Sequence, residues 1–329
     1  MRQDAAEKLD HEIFVLSEIE KLDSTRRRYA ESIRELLWRR HRLRLSDKLV
    51  SAFAQIPREK FLGPPPWLIR GSSGSPTWQR IVLRFLKHHA RDWTTRDPTQ
   101  LYRDVAVAID PSRGLNSGQP SGVATWLHFL ELQPGDRVLH VGCGLGYYTA
   151  VIAAVVAPGE VVGVELDEVL ASQARANLGD VNHVAVVEAN GLEYDSGSVD
   201  VILVNAGVTH PRALWLDNLR AGGRMLLPLT NEEGKGLMLK VTREPSGWTA
   251  QFVSGLIIFH CVGGRDPELC GRLAAGFADG SWRSVQSVRR DSHAPDSYCW
   301  LHVGDVCLSK QVVSGRDSRG SLGQTELRY

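Results

Sequence analysis

The sequence lacks a long hydrophobic run, a large net charge and a cysteine framework. None of its 329 residues belongs to an uninterrupted apolar stretch of about eighteen or more, so no membrane-spanning helix is predicted. The formal net charge of +1 offers no global attraction to nucleic acid or to an anionic membrane, and neither is an expected partner. The polar start of the chain does not resemble a secretory signal, so we expect a cytoplasmic protein.

The five cysteines are odd in number and scattered, which favours free thiols over a disulfide framework. Neither Cys261 with Cys270 nor Cys299 with His302 and Cys307 has the spacing of a familiar zinc motif, so no metal site is predicted. With 43% hydrophobic and 23% charged residues, the composition is that of a globular protein with a packed core.

Changes in composition and periodicity along the chain predict four segments. Residues 1–62 carry apolar side chains at three- and four-residue steps, which predicts a helical N-terminal extension. Residues 63–100 contain a Gly-Pro-Pro-Pro run and three tryptophans, and we expect an inserted lobe or lid. In residues 101–265, short apolar runs alternate with helical patterns, which predicts a doubly wound, mostly parallel α/β sheet. Residues 266–329 are expected to form a C-terminal appendage with a mobile tail.

The most informative segment is the predicted strand and turn at residues 138–148. A buried strand leads directly into three glycines at alternate positions, Gly142, Gly144 and Gly146, and a helical pattern follows. Such a turn lets a ligand approach the backbone at a helix N-terminus. Dinucleotide-binding folds use the spacing G-x-G-x-x-G, whereas here the third glycine comes one residue earlier and Tyr147 stands in its place.

Polar residues follow the next three predicted strands. Glu165 stands where a carboxylate can accept hydrogen bonds from a ribose diol, Asn190 where an amide can meet an adenine edge, and Asn205 ends the fourth strand. The pattern predicts an adenosine-type cofactor, with Cys143 also explicable as a small packing residue. The predicted cofactor-binding residues are Gly142, Cys143, Gly144, Gly146, Tyr147, Glu165, Leu166, Asn190, Gly191 and Asn205.

Several motifs, in chain order, resemble the protein-L-isoaspartate O-methyltransferase family. They are Ile56-Pro57-Arg58-Glu59-Lys60-Phe61, Tyr102-Arg103-Asp104, Gln119-Pro120, residues 132–139 with the glycine turn, and residues 219–228. The resemblance covers residues 49–63 and 101–262. It implies a class I, Rossmann-like methyltransferase fold with a seven-stranded sheet, S-adenosyl-L-methionine as methyl donor, and a carboxylate as acceptor.

The chain departs from the family pattern in two loops. Where the family has Thr-Ile-Ser followed by Ala-Pro or Gln-Pro, this chain has Asn116-Ser117-Gly118-Gln119-Pro120, so glycine takes the place of the serine. The Gly-Asp-Gly expected after the third strand is Ala189-Asn190-Gly191. These differences leave the acceptor open between an isoaspartyl-like residue in a peptide and a small-molecule acid.

A carboxylate is ionised at neutral pH, so methyl transfer to it needs no general base and depends on alignment of the two reactants. Ser117, Gln119 and His210 are the predicted catalytic residues. The polar groups of Ser117 and Gln119 can hold a carboxylate oxygen, and His210 could pair with an acid or deprotonate a hydroxyl acceptor. The predicted acceptor-binding residues are Asn116, Tyr102, Arg103 and Thr209.

Three alternatives remain open at this point. The first is a small-molecule methyltransferase that acts on a hydroxyl or an amine. The second is a nucleic-acid methyltransferase or binder, suggested by eight arginines within residues 26–44. The third is a catalytically silent scaffold that binds the methyl donor. The N-terminal helices could cover the pocket or form a homodimer interface.

Overall fold

The computed structural model describes residues 2–71 and 92–313, with side chains from residue 17 onward. The centre of the predicted lobe, residues 72–91, and most of the predicted mobile tail, residues 314–329, lie outside the described residues. The chain divides into two compact units, Met1–Ala124 and Thr125–Tyr329.

The first unit begins with two helices, α1 (Arg2–His41) and α2 (Asp47–Gln55), as the apolar periodicity predicts. They are separate because Arg42 takes a left-handed conformation, φ 56°, and Ser46 caps α2 by accepting a hydrogen bond from the Leu49 amide at 3.2 Å. The helix α2 ends before Pro57, since the residue that precedes a proline disfavours helical backbone.

Between α2 and Pro120, the described residues of the first unit form short elements around the buried guanidinium of Arg58. They are β1 (Trp67–Ile69) paired with β2 (Trp93–Thr95), β3 (Ala108–Asp110) paired with β4 (Leu115–Asn116), and 3-10 turns at Arg58–Phe61, Pro98–Leu101 and Pro111–Arg113. Arg58 is only 1% exposed and donates to the carbonyls of Leu101, Arg103 (3.3 Å) and Val105 (3.1 Å). These bonds satisfy a charge that would otherwise be costly to bury.

The second unit contains the main sheet. The helix α3 (Pro120–Leu130) precedes its first strand, and its own helices are α4 (Tyr147–Val156), α5 (Glu168–Leu178), α6 (Ala213–Asn218) and α7 (Pro267–Ala278). A further 3-10 turn lies at Ser281–Ser284. The strands are β5 (Val138–Val141), β6 (Val161–Glu165), β7 (Val184–Glu188), β8 (Val199–Val204), β9 (Leu219–Thr230), β10 (Lys235–Glu244), β11 (Gly247–Ile257), β12 (Ser287–Arg289), β13 (Cys299–Val303) and β14 (Val306–Ser309).

The strand order in the described part of this sheet is β13-β14-β12-β11-β10-β9-β8-β5-β6-β7. Strands β7, β6, β5, β8 and β9 are parallel, and β10 to β14 pair antiparallel. The α/β fold class is confirmed, but the described sheet has ten strands rather than seven, and half of them are antiparallel. The difference arises because β12, β13 and β14, from the predicted appendage, extend the same sheet through pairing with β11.

The parallel strands form an apolar core covered by helices. Val138, Leu139 and Val141 of β5 are buried on both faces of the sheet. The exception is His140, which is fully buried in the same strand and places Nδ1 3.0 Å from the hydroxyl of Thr149 on α4. Burial lowers the pKa of His140 to about 4, so this ring is neutral at physiological pH.

None of the helices in residues 2–71 and 92–313 combines the length and the apolar character needed to cross a lipid bilayer.

Candidate functional site

The glycines of the turn after β5 serve two different purposes, close packing at one position and open access to the backbone at another. Gly142, Gly144 and Gly146 all have positive φ, at 73°, 56° and 89°, where a side chain would be strained. A Cβ added at Gly146 would lie 2.7 Å from Leu178 of α5, so that glycine is demanded by packing. A Cβ added at Gly144 would meet nothing within 4 Å. Gly144 therefore faces open space, and a ligand can approach the backbone there.

Glu165, the last residue of β6, is fixed to this turn by backbone amides. Its Oε2 accepts from the Gly144 amide at 2.8 Å, and its Oε1 accepts from the amides of Leu166 (2.9 Å) and Asp167 (3.1 Å). Each carboxylate oxygen has about two acceptor positions, so Oε2 keeps one for a further donor. The predicted ribose-binding carboxylate is thus oriented before any ligand arrives.

Three other predicted residues surround the turn in different ways. Leu166 follows Glu165 and is 48% exposed, which offers an apolar surface beside the carboxylate. Cys143 is buried, and a Cβ added at the neighbouring Gly163 would lie 3.1 Å from its sulfur. Burial raises the pKa of Cys143 to about 12, so it acts as a packing residue and not as a thiolate. Tyr147 is also buried and meets Tyr148 edge to face, with ring centroids 4.9 Å apart.

The loop after β7 presents Asn190 and Gly191. The Asn190 side-chain oxygen accepts from the Leu192 amide at 3.1 Å, which orients its amide group. A Cβ added at Gly191 would lie 2.4 Å from Cγ1 of Val141, and the Gly191 carbonyl accepts from the indole of Trp215 at 2.9 Å. Gly191 is therefore required for close packing of this loop against β5.

The sheet brings all ten predicted cofactor residues to one edge. In register, Glu165 pairs with Glu188, and Val141 pairs with Val164 and Val204, so β7, β6, β5 and β8 end side by side. At the end of β8, Asn205 donates to the Gly142 carbonyl at 3.4 Å. The topology reverses between β6 and β8 on either side of β5, which is where doubly wound folds open a ligand crevice.

This edge fits an adenosine-type ligand. Glu165 offers an acceptor for a ribose diol, Leu166 an exposed apolar face for a ring, and Gly144 an open approach to the backbone. The groups are those that the nucleoside part of such a ligand requires.

Thr209 and His210 follow β8 and are linked to each other. The Thr209 hydroxyl is buried, accepts from the Asp266 amide at 3.1 Å and lies 3.1 Å from His210 Nδ1. Arg212 Nη1 lies 3.4 Å from His210 Nε2. A guanidinium only donates, so the Nε2 lone pair of His210 faces Arg212 and the ring proton belongs on Nδ1. Burial, followed by the charge of Arg212, lowers the pKa of His210.

Thr209 and His210 thus differ in what they can offer an acceptor. Thr209 is a buried group that positions His210 and the backbone of Asp266, and it has no exposed surface for an acceptor. His210 is neutral at pH 7, but its basic nitrogen is already directed at a cation.

The loop that precedes α3 carries three more predicted residues, and its polar groups hold the loop itself. Asn116 Oδ1 accepts from the Gly118 amide at 2.9 Å, and the Ser117 hydroxyl accepts from the Val107 amide at 3.1 Å. Gly118 has a φ of 72°, a conformation that disfavours the serine of the family pattern.

Gln119 joins Asp104, a residue that belongs to a recognised motif but was not predicted for the site. Gln119 Nε2 donates to Asp104 Oδ2 at 2.8 Å, and Ser121 donates to the same carboxylate from its amide and its hydroxyl, both at 2.8 Å. Asp104 therefore caps the start of α3. The signal that could have revealed it is an acidic residue facing a Gln-Pro-Ser helix start, although the two are distant in sequence.

The remaining two predicted acceptor-binding residues are placed differently. Tyr102 is 6% exposed, and its hydroxyl contacts the Glu59 carboxylate and accepts from Arg26 Nε at 3.0 Å and from the Arg58 amide at 3.1 Å. Burial and the Glu59 charge raise the pKa of Tyr102. Tyr102 thus packs inside the first unit, and a role in acceptor binding stays a prediction.

Arg103 is exposed, and its guanidinium lies 5.9 Å from the ring centroid of Trp93. It stays a prediction for acceptor binding.

The basic stretch of α1 is partly neutralised by carboxylates. Its ion pairs are Arg26 with Glu59 (2.9 Å), Arg34 with Asp47 (2.8 Å) and Arg39 with Glu35 (2.6 Å). The Arg34 and Arg39 pairs are exposed and contribute little to stability, whereas the Arg26–Glu59 pair is largely buried; all three reduce the local field that would attract a polyanion.

The protein resembles known methyltransferases in sequence and in fold. The model of the family described as protein-L-isoaspartate(D-aspartate) O-methyltransferase matches residues 79–265, more than half of the chain. A protein-L-isoaspartate O-methyltransferase 2 from Rhodopseudomonas palustris (strain HaA2) is 36% identical over 199 residues, which are 58% of this chain and 87% of the relative.

Two solved structures share the fold. One, a protein-L-isoaspartate O-methyltransferase, superposes with a TM-score of 0.53 at 21% identity and covers 80% of this chain and 72% of its own. The other is a β-aspartate methyltransferase from Plasmodium falciparum in complex with S-adenosyl-L-homocysteine, with a TM-score of 0.52 at 18% identity, covering 70% of this chain and 96% of its own.

Proposed function

The chain belongs to the protein-L-isoaspartate O-methyltransferase family and is an S-adenosyl-L-methionine-dependent methyltransferase, and from this we propose that its acceptor is an isoaspartyl-type carboxylate in a peptide or protein. The observation that carries the proposal is the family match over residues 79–265, which contains the whole cofactor edge. A small-molecule acid is the second acceptor that the same chemistry permits.

The donor supplies an electrophilic methyl group when it is bound. In the protein, the carboxylate of Glu165 would accept hydrogen bonds from the ribose hydroxyls, and Leu166 would cover one face of the adenine. Gly144 would admit the ligand to the backbone, since nothing lies within 4 Å of the place that a side chain would take.

The environment of His210 supports a carboxylate acceptor over a hydroxyl acceptor. A hydroxyl must lose a proton to a base, whereas a carboxylate with a pKa near 4 is already ionised at neutral pH. The basic nitrogen of His210 faces Arg212, so it is not free to take a proton. Arg212 itself is a cation directly before α6, and the donor that it directs at His210 leaves others for an anionic acceptor.

The decisive experiment is transfer of a labelled methyl group from the donor. The substrates are an isoaspartyl peptide, the same peptide with a normal aspartate, and a panel of small carboxylic acids. A methyl ester releases its label as methanol in mild alkali, so we expect alkali-labile label on the isoaspartyl peptide and little on its aspartyl counterpart. Label that is stable to alkali, or label on the acids alone, contradicts the proposal.

A matched pair of variants tests the cofactor edge. Gly144→Ala and Gly197→Ala both place a side chain at positive φ, 56° and 61°, and both added Cβ atoms enter open space. We expect Gly144→Ala to weaken donor binding by about ten-fold or more, which is about 1.4 kcal/mol, while Gly197→Ala changes stability alone. Equal donor affinity of the two variants in calorimetry contradicts the assignment of Gly144.

A homodimer through α1 stays a prediction, and sedimentation of the full chain tests it.

A further inference from the structure

Two cysteines and two histidines converge at the β13–β14 side of the main sheet, six strand positions from β5. They are His293, Cys299, His302 and Cys307, and one ligand atom of each lies within 4.8 Å of those of the other three. His302 and Cys307 are direct partners across the β13–β14 hairpin, Cys299 begins β13, and His293 comes from the preceding loop. Strand pairing therefore assembles the group, which is why its spacing resembles no familiar motif.

The spacing between Cys299 and His293 fits a tetrahedral metal ion. Cys299 Sγ lies 3.4 Å from His293 Nε2. When Zn–S bonds are about 2.3 Å and Zn–N bonds about 2.0–2.1 Å, neighbouring ligand atoms of a tetrahedron are about 3.5 Å apart. The rings of His293 and His302 meet edge to face with centroids 4.7 Å apart, so both belong to the same small cluster.

His293 is already oriented as a ligand. Its Nδ1 lies 2.8 Å from the carbonyl oxygen of Asp291 and 3.3 Å from the carboxylate of the same residue. A proton on Nδ1 satisfies these contacts and leaves the lone pair on Nε2, the atom that faces the Cys299 sulfur. Histidines that bind metals characteristically donate their other ring N–H to a carbonyl or a carboxylate.

The loop around His293 is held from outside by Arg289. This guanidinium pairs with Asp291 at 2.7 Å and with Asp296 at 3.1 Å. In addition, Nδ1 of His302 is buried and has no hydrogen-bond partner among the described residues, which is the state of a nitrogen kept for another ligand.

We propose that His293, Cys299, His302 and Cys307 bind one zinc ion, which ties the loop at residues 290–298 to the β13–β14 hairpin. The loop at residues 290–298 contains no helix or strand, and β14 has only four residues. Local structure therefore orders this segment weakly, and a metal cross-link would stabilise it. Two cysteine thiols lose their protons on binding, and the two thiolates balance the charge of the ion.

The site is structural and not catalytic. Four protein ligands leave no open coordination position for a substrate. In addition, β14 is separated from β5 by six strand spacings, about 29 Å at about 4.8 Å each. Zinc therefore stabilises this edge of the sheet and takes no part in methyl transfer.

The test uses the full chain, purified under reducing conditions without a histidine tag. Elemental analysis should find one zinc ion per chain, and cobalt exchanged into the site should give the visible bands of a tetrahedral ion with thiolate charge transfer. Cys299→Ser and His302→Gln should each weaken zinc binding about ten-fold or more. Cys261→Ser, which changes a half-buried cysteine outside the cluster, should keep one zinc ion.

Two results on the unmodified chain would overturn the proposal. The first is zinc well below one ion per chain after reduction and incubation with stoichiometric zinc. The second is a Cys299–Cys307 disulfide in protein purified without reductant that, once reduced, gives thiols unable to take up zinc or cobalt. Both measurements use the wild-type chain, so poor folding of a variant does not decide the matter.

Discussion

A fall in pH should lower the free energy of unfolding of the second unit because of one buried histidine. His140 lies in the central strand β5, fully buried, with Nδ1 3.0 Å from the Thr149 hydroxyl. Burial lowers its pKa from the usual 6.5 to about 4. The neutral form is thus favoured in the folded protein, while the unfolded chain takes up a proton as the pH falls below about 6.5.

The sign and size of the effect follow from these two pKa values. His140 contributes its full stability above pH 6.5 and loses it as the pH falls towards 4. Between pH 7.5 and pH 5 the free energy of unfolding should decrease by about 2 kcal/mol because of this residue.

Denaturant titrations of the wild type and of His140→Leu at several pH values measure this contribution. Whatever its stability at pH 7.5, His140→Leu should lack the decrease in the free energy of unfolding that protonation of His140 causes. Thr149→Val is the matched control, because it removes the hydrogen-bond partner but leaves the titrating group in place. The reasoning is refuted if wild type and His140→Leu lose stability in parallel between pH 7.5 and pH 5.

Two further predictions concern the loop after β7 and the contact between Arg212 and His210. Gly191→Ala should lower the free energy of unfolding by about 1–3 kcal/mol in thermal melts, because the new Cβ would lie 2.4 Å from Val141. Gly122→Ala is the control: its added Cβ meets open space, so this variant should not destabilise the protein. Arg212→Gln should raise the pKa of His210 in a proton NMR titration, since the Arg212 charge helps to lower it, and an unchanged or lower pKa would show that the two side chains do not interact.

Much of the cofactor edge could be predicted from the sequence because its signals are local. A buried β-branched strand, three alternating glycines and a helical pattern occur within residues 138–156, and backbone sterics translate them directly into a strand, a turn and a helix. Glu165 could be placed because parallel strands end at the same edge of a sheet.

Other parts depended on contacts between distant residues and could not be predicted. Tyr102 belongs to a matching motif, but only packing showed that its hydroxyl is enclosed by Glu59, Arg26 and the Arg58 amide. The antiparallel extension of the sheet was missed because β12, β13 and β14 are short, with three to five residues each, and carry weak periodicity.

The sequence by itself determined the α/β class, the glycine turn after β5 and the family, because each rests on patterns within a few tens of residues. Tertiary structure alone decided which polar groups are enclosed, where the lone pair of His210 points, and that His293 and Cys307 meet. Those outcomes depend on strand register and side-chain packing between distant segments, and residue spacing contains no record of either.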